Sequence, residues 1–311
     1  MDLITHFLVP YAIMVLIKSK NRLEGAFGGI SLDFDVLIAW IGILYPQLFV
    51  FSHRGITHSF FFGFFTSLLF LFVLTRKPVK DTINRIIRRN LNIEFNRVTV
   101  LIVFFGALTH LFLDSLTSLG IPLFYPFTIT RYSAEIYYYL DTATIIIAFA
   151  VLFIIYLRIN SKYKKIALTV FIAILILFGG IRAYEKMDTL QQLSSVDGNY
   201  TYMTAYPTPD MFKWSVVKSN TENSSYEVFQ FNSLGNYSTN SKNFQRLSVT
   251  NGTYISALNA VNQANNLPEV KRFKWTAYYT SVNAEYSSNW NLIYFDILNS
   301  SYGRQNLTVV I

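Results

Sequence analysis

All four histidines of the chain fall in its first 110 residues, and each stands beside a turn residue, a hydroxyl or an aspartate. His110 and Asp114, in "THLFLDS", are four positions apart, so in a helix they stack on one face, as two ligands of one metal ion or cluster would. The run that holds them, Val98–Leu119, is otherwise apolar. An ionised aspartate near a bilayer centre costs roughly 2.5–3.5 kcal/mol on insertion scales and needs a partner. In "SLDFD", Asp33 and Asp35 have no basic neighbour in sequence. Carboxylates this close repel unless a cation or a proton is shared between them. An extended or turning backbone would bring the two together, where a helix would splay them. In "HRGITHS", Gly55 permits a turn that brings His53 toward His58, and Thr57 is placed to cap a helix starting near His58. His6, in "ITHF", heads a further apolar run. Each residue alone has a plainer role: His6 at the interface, Asp33 and Asp35 as helix caps, His110 bonded to a neighbouring helix, Arg54 as a headgroup anchor. Together they point to one shared metal site, because imidazole and carboxylate are the ligands expected of zinc, or of manganese or iron.

The elements that must position these residues read as membrane helices. The chain has 311 residues, 52% of them hydrophobic and 14% charged, with a mean hydropathy of +0.33. An ordinary soluble domain carries roughly 25% charge. Clear spanning candidates are Ser59–Thr75, Val98–Leu119, Leu140–Leu157 and Ile166–Arg182, each near the ~20 residues a bilayer requires. Gly120 and Pro122 are placed to end the second. Phe7–Ile17 and Val36–Phe51 are shorter, and Tyr45-Pro46-Gln47 interrupts the latter. From Lys186 onward the composition turns to Asn, Ser, Thr and Tyr. Strand-like runs appear there, "FKWSVV" (212–217), "YEVFQF" (226–231), "FKWTAYYTSV" (273–282) and "WNLIYFDIL" (290–298), with one helical run, "YISALNAVNQA" (254–264). The predicted fold is an all-α polytopic membrane domain, residues 1–185, followed by a small β-rich (α+β) extracytoplasmic domain, residues 186–311.

Charge sets the expected orientation. Residues up to Glu185 include 17 basic and 10 acidic side chains, and the remainder 9 and 8. The basic excess lies in short loops, chiefly Arg76–Arg97 and Arg158–Lys165, which marks those loops as cytoplasmic and gives no sign of a nucleic-acid partner. Three crossings after the first loop put the 120–139 loop and the C-terminal domain outside. Asn-X-Ser/Thr acceptors at Asn199, Asn223, Asn236, Asn251, Asn299 and Asn306, with none earlier, agree. The first residues lack a basic lead and a small-residue cleavage site, so no removable signal peptide is expected. With no cysteine, disulfides and thiolate metal ligands are excluded. Val36–Phe51, if helical, spans about 24 Å, short of the ~30 Å core. A bent or re-entrant segment there would keep Asp33, Asp35, His53 and His58 on one side, at the outer leaflet with His110 and Asp114.

Residues 1–130 resemble the YdjM-like membrane-bound metal-dependent hydrolases. The matching elements are Thr5-His6, Asp33-x-Asp35, "HRGITHS" (His53 to Ser59) and "THLFLDSLTSLGIPLFYPF" (Thr109 to Phe127). Leu32 stands where that family usually has a proline. Its ligand pattern is in turn similar to that of the all-helical zinc-dependent phospholipase C group. The resemblance implies metal-assisted hydrolysis of a phosphoester, with His6, Asp33, Asp35, His53, His58, His110 and Asp114 holding two or three divalent ions, zinc first and manganese or iron as alternatives. Asp33 or Asp35 would then take a proton from water, and Arg54 would clamp a phosphate oxygen. Thr57, Ser59 and Thr117 would orient ligands. A site beside lipid suggests a phospholipid or lipid-linked phosphoester substrate. The rival function is a cation-binding or transport protein using the same cluster, which would place ionisable residues through the full membrane depth. Of the later apolar runs, Leu140–Leu157 offers only Asp141, near its start, and Ile166–Gly180 none. The sequence specifies neither an oligomeric state nor a role for residues 186–311.

Overall fold

The computed structural model describes residues 1–87, 93–196, 200–298 and 306–311. Arg88, Arg89, Asn199 and Asn299 lie outside them. The chain divides into two compact units, Met1–Leu44 with Val50–Arg182, and Tyr45–Phe49 with Ala183–Ile311.

In the first unit, α1 (Leu3–Leu16) begins where the Asp2 carboxylate accepts from the Ile4 and Thr5 amides, each at 3.0 Å. After α2 (Arg22–Ile30), the chain tightens into a 3-10 turn over Ser31–Leu37, then forms the short α3 (Ala39–Leu44). A second 3-10 stretch, Pro46–Phe51, whose residues up to Phe49 belong to the second unit, is broken at Leu48. The run Val36–Phe51 is therefore not one helix. α4 (Phe60–Leu74) is capped by Ser59, whose hydroxyl accepts from the Phe62 amide at 3.2 Å. Thr57, expected as that cap, sits in the preceding 3-10 turn and turns its hydroxyl to Asp35 instead. α5 (Lys77–Ile87) follows, and α6 (Arg97–Ser115) is capped by Asn96. α6 stops four residues earlier than Leu119. Gly120 therefore does not end it, and its φ of +62° serves the loop beyond, where Ile121 and Tyr132 form a bridge. A Cβ on Gly120 would meet the Tyr132 carbonyl at 2.9 Å. α7 (Thr142–Tyr156) and α8 (Ser161–Val196) complete the helices of this half.

Among the described residues, Arg22–Leu44, Arg97–Ser115 and Ser161–Ser195 are long and apolar enough to cross a membrane. Phe60–Leu74 with Lys77–Ile86 makes a fourth span only if a pair bent by 78° counts as one. α7 is 15 residues, about 22 Å at 1.5 Å per residue. It is shorter than the run Leu140–Leu157 suggests, because the Asp141 side chain caps it and the backbone is extended at Leu157.

Close backbone approach brings α2 and α6 together. A Cβ on Gly28 would lie 2.0 Å from the Val103 carbonyl oxygen, and one on Gly106 would lie 2.2 Å from that of Gly25. Small residues at such a crossing are how membrane helices gain contact without a hydrophobic driving force.

The second unit holds two four-stranded sheets. β1 (Tyr202–Pro207), β2 (Lys213–Asn220), β3 (Ser225–Asn232) and β4 (Tyr237–Gln245) form an antiparallel meander, with Val216 opposite both Ala205 and Phe229. β5 (Leu247–Thr250) leads through α9 (Tyr254–Ala264) and α10 (Pro268–Thr276) to β6 (Thr280–Tyr286), the parallel neighbour of β5. β7 (Trp290–Asp296) and β8 (Leu307–Val310) continue that sheet antiparallel. Ala257, Ala260, Val261 and Val270 pack on Val282, Leu292 and Tyr294. The start of "FKWTAYYTSV" lies in α10 rather than a strand, since Pro268 at the first helical position sets a helix that runs to Thr276.

Candidate metal centre

The fold brings all seven histidine and aspartate side chains into one cluster. α1 supplies His6, the 3-10 turn after α2 supplies Asp33 and Asp35, the loop before α4 supplies His53 and His58, and α6 supplies His110 and Asp114. They form three overlapping groups fit to hold a metal ion: His6 with His110 and Asp114, Asp33 with His58 and His110, and Asp35 with His53 and His58. His58 and His110 each belong to two.

Asp33 and Asp35 do not converge on one point. Two residues apart in a 3-10 turn, they diverge and flank His58 on opposite sides. Asp35 Oδ2 lies 3.2 Å from His58 Nδ1, and Asp33 Oδ1 lies 3.6 Å from its Nε2.

The separations test whether a cation fits. Two ligands about 2.1 Å from a tetrahedral ion stand roughly 3.4 Å apart. The facing Nε2 atoms of His58 and His110 are 3.1 Å apart. Asp33 Oδ1 is 3.6 Å from His58 Nε2 and 3.5 Å from His110 Nε2, and Asp114 Oδ2 is 3.6 Å and 3.5 Å from the same two atoms. Each carboxylate thus stands near ligand spacing from both imidazoles, while Asp33 and Asp114 belong to different donor groups. Orphaned atoms agree. Neither ring nitrogen of His6 has a hydrogen-bond partner, nor has Asp114 Oδ2, although both residues are fully buried. Unpartnered buried polar atoms are costly and rare. His6 stacks on His110 with ring centres 3.6 Å apart, and its Nε2 lies 3.2 Å from Asp114 Oδ1. The donor set fits one or more divalent cations.

Outer contacts fix the rings. His110 Nδ1 meets the Gly29 carbonyl at 2.6 Å, which turns Nε2 inward. No side-chain signal marks Gly29 for this role. It follows from the glycine-lined approach of α2 and α6. Thr57 donates to Asp35 at 2.7 Å and touches His58 Nδ1 at 3.0 Å. Ser59 donates to the Ile56 carbonyl and accepts from the Phe62 amide, so its hydroxyl caps α4. Burial lowers the His58 pKa, but the negative carboxylates of Asp33 and Asp35 beside the ring outweigh it and raise the value to about 9. Those carboxylates therefore favour a positive charge on or beside this ring.

Arg54 is 4% exposed, so it is no headgroup anchor. Its guanidinium lies 3.2 Å from Asp114 Oδ1 and donates to Thr117 Oγ1 at 3.1 Å and to the Met1 carbonyl at 3.4 Å. The Met1 amino group rests on the same Asp114 oxygen. Arg54 has a φ of +61°, a left-handed backbone, and its amide donates to Asp35 Oδ2 at 3.2 Å. Strain of this kind collects at functional sites. The cluster has a closed and an open end. His6 and Asp114 are fully buried, while the Asp33 side chain is 17% exposed and that of His53 43%. His53 Nδ1 is held by Asp35 Oδ1 at 2.7 Å.

Apolar helices around a His/Asp cluster, followed by a β-rich region, define a helical membrane protein with buried groups that could hold a metal ion. The chain belongs to the YdjM inner membrane protein family, whose model matches residues 1–187. No curated protein and no solved structure matches the chain.

Proposed function

We propose that the protein is a membrane-bound metal-dependent hydrolase acting on a phosphoester, either a phospholipid or a lipid-linked phosphate. The three overlapping donor groups that share His58 and His110 carry this reading, each with three protein ligands for one of up to three ions. Zinc is the first choice for such nitrogen and oxygen donors. A divalent ion held there supplies a polarised phosphoryl oxygen and an acidified water. Asp35 is already engaged by His53, Thr57 and the Arg54 amide. Asp33, more open and less bonded, is therefore the carboxylate that would accept a proton from water through an oxygen not taken up as a ligand. Arg54 keeps a fixed positive charge beside Asp114, available to offset negative charge on a phosphoryl group.

Apolar side chains support a lipid substrate. Phe34, between the two aspartates, is 45% exposed, and Phe60 and Phe124 are exposed with ring centres 5.7 Å apart. A detergent-solubilised, zinc-loaded preparation should cleave bis(4-nitrophenyl) phosphate or a lipid phosphate, and Asp33→Asn should remove the activity. If no phosphoester is turned over while bound cations exchange across sealed vesicles, the transport alternative takes its place.

We also propose that the protein is multi-pass in the cell membrane, with the β-rich region outside the cytoplasm and the loop around α5 inside. The chain has no cysteine, so Asn236→Cys and Asp81→Cys give single labelling sites. An impermeant maleimide should label the first from outside and the second only after lysis; labelling of both from one side rejects this arrangement.

A further inference from the structure

α5 departs from the apolar α4 at 78°. A helix so placed at the end of a membrane segment runs across the segment's axis rather than along it. Its side chains separate by face. Val79, Ile83 and Ile86 recur at i, i+4 and i+7 and form one apolar stripe. Lys77, Asp81, Asn84 and Arg85 occupy the opposite side, with Lys80 on the flank. Ile83 packs on the cluster of Leu71, Ile93 and Val103, so one edge of the stripe is seated on the helical unit. Ile86 is 74% exposed. From Arg76 to Ile86 four basic residues face one acid, and the Arg76 guanidinium lies 3.5 Å above the Phe72 ring at the junction with α4.

We propose that α5 lies in the membrane–water interface as a surface arm that binds anionic lipid headgroups. Its apolar stripe enters the acyl boundary at Ile86, while Lys77, Lys80 and Arg85 meet the phosphates. Amphipathic helices bind membranes by these two contributions together, and basic side chains next to a membrane segment are drawn to anionic leaflets. Long Lys and Arg stems on the flank of the stripe reach headgroup level while the backbone stays lower. A neutral bilayer would satisfy the stripe but leave the basic face unmatched, which selects anionic lipid.

Ile86→Cys and Asp81→Cys, made singly in the full chain and labelled with an environment-sensitive dye, test this in nanodiscs. The probes are phosphatidylcholine discs with and without phosphatidylglycerol, each containing a lipid with a shallow doxyl quencher. The dye at position 86 should be quenched several-fold more than that at 81 in discs containing phosphatidylglycerol. That difference should shrink in phosphatidylcholine alone, at high salt, and in Lys77→Gln/Lys80→Gln/Arg85→Gln. The charge-keeping Lys77→Arg/Lys80→Arg/Arg85→Lys should retain it. Equal quenching at the two positions overturns the interfacial placement. Quenching at 86 that ignores both phosphatidylglycerol and the charge-removing variant overturns the anionic-lipid specificity.

Discussion

His58→Ala and His110→Ala should each strip the purified protein of at least half its bound transition metal, and more than His53→Ala does. The difference follows from sharing, because His58 and His110 each serve two of the three donor groups and His53 serves one. His58 and His110 are also fully buried, whereas the His53 side chain is 43% exposed. Loss of a central imidazole leaves the buried carboxylates beside it with one ligand fewer to share a cation. Breaking one partner from a buried charged set costs about 3–5 kcal/mol, so these variants should also melt well below the wild type. Elemental analysis after extensive dialysis, paired with thermal unfolding, reads both effects. A wild type that is metal-free as purified, takes up no zinc and melts unchanged after chelation would remove the metal centre altogether.

Arg54→Ala should slow phosphoester hydrolysis by about 30- to 1000-fold, equivalent to roughly 2–4 kcal/mol of lost transition-state stabilisation. Guanidinium cannot be a metal ligand, since it stays protonated and has no lone pair to give. Its contribution is a charge held at fixed geometry. In the structure that geometry is built from Asp114 and Thr117, so Arg54 also steadies a ligand carboxylate. Arg54→Lys should recover only part of the rate, because an ammonium keeps the charge and loses the planar fork. Steady-state assays with a model phosphodiester, at matched metal content, separate the two contributions. A rate equal to wild type in Arg54→Ala would leave Arg54 without a catalytic part.

The sequence by itself determined the types of ligand and the kind of solvent around them. An i, i+4 His110 and Asp114 pair inside an apolar run has one physical meaning in a helix, and α6 places both on the buried face. Likewise α9 covers the residues of its helical run, Tyr254–Ala264, because its small apolar residues recur at helical spacing. Local pattern was less informative where backbone geometry is set by contacts at long range. The strand pattern of "FKW" yielded to Pro268, and β4, with the sequence "YSTNSKNFQ", has no apolar alternation to announce it; pairing with β3 alone makes it a strand. The division of labour between Asp33 and Asp35 was also decided by tertiary structure. Their spacing suggests a shared cation, but the 3-10 turn sends them to opposite sides of His58. Arg54 is similar, since nothing next to it in sequence tells of Asp114 or Thr117, which arrive from α6 and the loop after it. Ligand chemistry is a property of single side chains and is carried by the sequence, whereas the distance between two ligands more than fifty residues apart exists only once α2 and α6 have closed over their glycines.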